Sequence, residues 1–93
     1  MKDYIVTHTF VSAEARDKYF EMTSGMTPED IRSMMKNDNA SFQMNWHAEK
    51  SEMVMYCWWK ANHPDNIIET LGDMAGMFDN EIKEMPNVID VRD

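Results

Sequence analysis

A chain of 93 residues with 43% apolar and 28% charged residues is the size and composition of one globular domain, not a disordered segment. Its net charge of −8 argues against nucleic acid and anionic membrane surfaces as partners, since both call for clustered Lys and Arg. Cys57 is the single cysteine, which excludes an intrachain disulfide; no apolar signal core or membrane-length run is present, and a cytoplasmic location is expected.

Tyr4 to Phe10 is β-branched and aromatic, which predicts a first strand. Tyr4, Val6, His8 and Phe10 share one face of it, and Ile5, Thr7 and Thr9 share the other. Ser12 is placed to cap a helix over Ala13 to about Met22. Gly25 interrupts the pattern. Thr27, Pro28, Glu29 and Asp30 then supply a cap, a first-turn proline and first-turn acids for a second short helix. The polar run Lys36 to Asn39 ends it.

Ser41 to Ala48 predicts a second strand, and Met53 to Lys60 a third. A four-residue turn, Glu49 to Glu52, joins them. That loop length sets an expected register: Trp46 opposite Met55, Met44 opposite Cys57 and Phe42 opposite Trp59. On the other face His47 then meets Val54, Asn45 meets Tyr56 and Gln43 meets Trp58. A slip of one residue would exchange the two faces.

Pro64 opens the next helix, with Asn62 or His63 as its cap. Ile67, Leu71, Met74, Phe78, Ile82 and Met85 keep helical phase, with breaks at Gly72 and Gly76 and a possible cap at Asp79. Pro86 stops the helix, and Val88 to Val91 reads as a short last strand.

The expected order is thus β-α-β-β-α-β, a ferredoxin-like α+β fold in one domain. Its sheet has four antiparallel strands ordered 4-1-3-2 and helices on one face. The set Phe42, Met44, Trp46, Met53, Met55, Cys57 and Trp59 is assigned to the covered face. The open face then carries Tyr4, His8, Asn45, His47, Tyr56 and Trp58. Such a face calls for a partner, and packing two sheets face to face gives a homodimeric α+β barrel. The 11 Met are dispersed and read as flexible core filling.

The string from Trp46 to Ala61, the Pro64-started helix with Ile67 and Ile68, the Ala75-Gly76 break, Glu81-Ile82 and the opening Tyr4 to Phe10 together resemble a bacterial family of small uncharacterised domains. The resemblance covers most of the chain. It implies a ferredoxin-like, dimeric fold and, from a role reported for some members, nickel binding. His8 stands here where the family pattern has a basic residue, and His47-Ala48 where it has a serine-bearing strand.

Three readings of the open face remain. A divalent metal such as nickel would use His8 and His47, with His63, Cys57 and nearby acids as further donors. On strands one and two these histidines lie ~9.5 Å apart across the sheet, so their rings would have to lean together or meet across a dimer. A small ligand would rest on Tyr56 and Trp58 with Tyr4, His8, Asn45 and His47 around it. If it reacted, His8 or His47 would be the base of a cofactor-free monooxygenase acting on a small aromatic substrate. The third reading is a plain dimerisation surface. Cys57, mid-strand without a cationic neighbour, is expected to be structural.

Overall fold

The start signals of the first three helices are all used, whereas Asp79 caps nothing and lies within a strand. In the computed structural model, which describes residues 1–93, β1 runs over Lys2–Phe10 and α1 over Ala13–Thr23. Ser12 caps α1 by accepting from the Ala15 amide at 3.0 Å. α2, Pro28–Met34, opens on a capping box: Thr27 Oγ1 accepts from the Asp30 amide, and the Thr27 amide donates back to the Asp30 carboxylate. β2 spans Ala40–Trp46 and β3 Val54–Ala61. Of the two candidate caps for α3, Pro64–Leu71, it is His63 that serves, its Nδ1 accepting from the Asp65 amide at 3.1 Å.

The expected long last helix stops at Leu71 instead. Gly72 takes φ 59°, a conformation open to glycine, and the chain passes through a 3-10 segment, Gly72–Met77, into β4, Phe78–Glu84. Phe78 and Ile82 are four residues apart, which suits one face of a helix and one face of a strand equally. Pairing along β1 decides the matter, with Phe10 opposite Phe78 and Val6 opposite Ile82. Val88 to Val91, expected as the last strand, forms no regular element.

The result is an α+β domain with a four-stranded antiparallel sheet and three α-helices, compatible with a ferredoxin-like fold. The order is β2-β3-β1-β4. Read from the β4 edge this is 4-1-3-2, but its fourth place is filled by Phe78–Glu84 and not by the expected segment. No helix is long and apolar enough to cross a membrane.

The buried face of β1 is the bulky one. Tyr4, Val6, His8 and Phe10 are each 3% exposed or less, while Ile5, Thr7 and Thr9 lie on the open side. The expectation that Tyr4 and His8 lie on the open face fails because the bulky side of β1 is the one that packs into the core beneath the helices. Tyr4 and Val6 join Trp59, Cys57, Ile67 and Leu71 in the main core cluster, and Phe10, Met55 and Phe78 form a second. Ile67 is 0% exposed, so truncating it to Ala would cost ~2–5 kcal/mol.

The β2–β3 register begins as expected, with Phe42 opposite Trp59, and then shifts by one residue at a bulge around Gln43. Beyond it Met44 faces Trp58, Asn45 faces Cys57 and Trp46 faces Tyr56. The bulge therefore moves Met44 and Trp46 onto the open face and turns Asn45 under the helices.

Candidate functional site

The open face is built in cross-strand rows. One row reads Met44, Trp58, Ile5, Lys83 from β2 to β4; the next reads Trp46, Tyr56, Thr7, Glu81. The β2–β3 half is aromatic and apolar, and the β4 half is charged. Trp46 is 46% exposed and Tyr56 49%. A monomer leaves these two aromatic bodies in water side by side.

Residues after β4 run back over the near end of this face. They close an open groove of about 630 Å3 whose floor includes Ile5, Met44, Trp46 and Trp58. The polar end of the groove is ordered. The Trp58 indole N–H donates to Asp3 at 2.9 Å, and Lys60 lies 4.0 Å from the same carboxylate oxygen. The Arg92 guanidinium stands 5.2 Å above the Trp58 ring, which is cation–π range, and is itself held by Asp90 at 2.8 Å. That bond from Arg92 holds the Asp90 carboxyl down at about 2.

Polar chemistry on the other side of the sheet is buried. His8 is 2% exposed, and its Nδ1 lies 2.6 Å from Asn80 Oδ1. Burial lowers the His8 pKa from its ordinary 6.5, outweighing the Asn80 bond, which acts the other way. The Asn45 amide donates to Cys57 Sγ at 3.1 Å. Burial pushes the Cys57 thiol up to about 12, so it stays protonated and is a poor nucleophile. Tyr19, packed on Phe10, Phe20 and Phe78, is likewise raised to about 12 by burial and by Cys57 nearby.

Of the six residues expected on the open face, only Tyr56 and Trp58 are there. Tyr4 and His8 lie beneath the helices because β1 presents its bulky side to them. Asn45 lies there because of the bulge. His47 follows the end of β2, exposed, with its ring 5.1 Å from that of Phe20 on α1. The expected His8–His47 metal pair on the open face is therefore not formed. No three His, Cys, Asp or Glu side chains come together as a group that could hold a metal ion. His63 is occupied as a helix cap.

The residues missed on the open face are Met44, Trp46 and Ile5, with Asp3 and Arg92 at its edge. Nothing in the sequence marks the bulge, since no Gly or Pro stands near Gln43. Asn80 was legible in principle: an Asn between Phe78 and Ile82 in a two-residue alternation is an inward polar group in need of a partner, and His8 is that partner. Set beside known proteins, the chain matches no family model and no curated protein.

Proposed function

We propose that this chain is a small-ligand-binding protein that works as a homodimer through its open sheet face. The observation that carries the reading is the aromatic floor formed by Met44, Trp46, Tyr56 and Trp58, uncovered at Trp46 and Tyr56 and grooved beside Trp58. A second copy laid on this face buries the exposed indole and phenol rings, which are common interface anchors. The groove is of a size that suits a small molecule, and its mixed end supplies a carboxylate, an ammonium and a guanidinium to orient one. A flat aromatic ligand stacked on Trp58 fits this floor better than a divalent ion, which lacks a donor set here.

Light scattering after size exclusion tests the dimer. Wild type should run as a dimer at micromolar concentration, and Trp46→Asp should run as a folded monomer. A wild-type monomer with an intact circular dichroism spectrum would sink the dimer reading. Indole fluorescence against a panel of small aromatic acids tests the groove. Quenching that is lost in Trp58→Leu supports it, and no change across the panel removes it.

A further inference from the structure

A separate, internal site lies between the helices and the sheet. Here the helices and the sheet line a partly open pocket of about 60 Å3. Its floor is the covered sheet face at His8, Met55 and Cys57. Its outer wall comes from α1, α2 and the turn between them, at Met22, Met26 and Met34. Twelve of its 14 lining residues are hydrophobic, and the two others are His8 and Thr23. The Thr23 hydroxyl is spent on the Tyr19 carbonyl at 3.0 Å.

The state of His8 follows from its neighbour. The Asn80 amide nitrogen donates to the Ala75 carbonyl at 3.1 Å, which leaves Asn80 Oδ1 to face the imidazole. An amide oxygen only accepts, so the His8 proton sits on Nδ1. Nε2 then carries the lone pair, and no group of the chain donates to it. His8 is only 2% exposed, but Nε2 is not sealed off as Trp59 Nε1 is, and the ring lines an apolar pocket that a small molecule can reach. Burial also disfavours the charged ring, which keeps Nε2 unprotonated at neutral pH.

We propose that this cavity binds a small, flat, neutral molecule of the pyrrole to phenol class, whose single N–H or O–H donates to His8 Nε2. The apolar walls reward an apolar body, and an acceptor to which no group of the chain donates is free to take a ligand's N–H or O–H. Phe78 and the thioethers of Met55 and Met74 give an aromatic ring favourable contacts on several sides. At 60 Å3 the cavity is smaller than the ~150 Å3 that holds benzene elsewhere. The methionine wall supplies the difference. Met22 is 47% exposed and Met34 54%, so these unbranched side chains can swing outward to admit a ring.

The test uses the whole chain with its methionine methyls labelled with carbon-13, titrated with pyrrole and with furan. The two rings have nearly the same shape, and only pyrrole donates. Pyrrole should move the methyls of Met55 and Met74, leave those of Met44 and Met85 in the open-face groove in place, and bind about tenfold tighter than furan. His8→Leu should abolish that preference while furan binding persists. The wild-type comparison stands on its own if this variant fails to fold. Equal affinity for the two rings, shifts confined to Met44 and Met85, or no shifts at all would each overturn the proposal. Shifts confined to the groove would support the open-face reading at the expense of the internal one.

Discussion

Acidification probes the cost of keeping His8 neutral in the core. Its folded pKa lies below the ordinary 6.5, with burial as the main cause. Well above pH 6.5 the ring is neutral in both folded and unfolded chains, and His8 adds no pH dependence. As pH falls below 6.5 the unfolded chain takes up a proton that the folded chain refuses. Stability is then lost, until the lower folded pKa is reached and the loss levels off. One proton corresponds to ~1.4 kcal/mol per pH unit, so His8 alone removes at most ~1.4 kcal/mol between pH 7.5 and 5.5. In a domain of this size that is a fall in Tm of roughly 5–10 °C. Urea unfolding followed by indole fluorescence at pH 7.5, 6.5 and 5.5 measures it. His8→Leu should be less stable at pH 7.5, because Asn80 Oδ1 loses its donor, but its curve over this range should be flatter than that of wild type. Parallel curves for the two proteins would refute the reasoning.

Trp59 is 0% exposed, and its indole N–H has no hydrogen-bond partner. Trp59→Phe keeps an aromatic contact with Phe42 and removes the orphan donor, so it should change stability by less than about 1 kcal/mol, against ~3–5 for Trp59→Ala, read from urea midpoints. Gly72→Ala forces an L side chain into φ 59°, ψ −131° and should cost ~1–3 kcal/mol in a thermal melt; Gly76→Ala, with open space and no positive φ, should stay near wild type. Titration calorimetry with nickel or zinc should show no stoichiometric binding at micromolar concentration, given the absence of a three-donor group. A one-to-one isotherm that disappears in His8→Leu would contradict this.

Most of the element list was legible because its signals are local. Ser12, Thr27 and Pro28, and His63 and Pro64 mark helix starts by chemistry that acts within one turn. Three things were not legible, each for a physical reason. The Phe78–Ile82 spacing satisfies both helical and strand periods, and only pairing with β1 separates them. The face of β1 depends on how much space the helices leave above the sheet, which a strand's own residues do not report. The bulge at Gln43 reflects cross-strand fit and leaves no mark in composition. The candidate site suffered most, since an error of face on β1 and an error of register on β2 together misplaced Tyr4, His8 and Asn45. Tyr56 and Trp58, on the strand whose alternation is unbroken, kept their place.

The bulge has a further consequence for how variation in this chain is to be read. Along β2 the side chains that answer to the core are even-numbered at Ala40 and Phe42 and odd-numbered at Asn45. Tolerance to substitution should therefore switch parity at position 43. Charges should be accepted at 41 but resisted at 45, and Met44 and Trp46 should vary with whatever meets the open face. Removing Gln43 would make Phe42–Trp59 and Met44–Trp58 consecutive pairs, so a regular strand would keep Trp46 outward and Asn45 inward; it is the inserted residue that breaks the parity, not the faces its neighbours take.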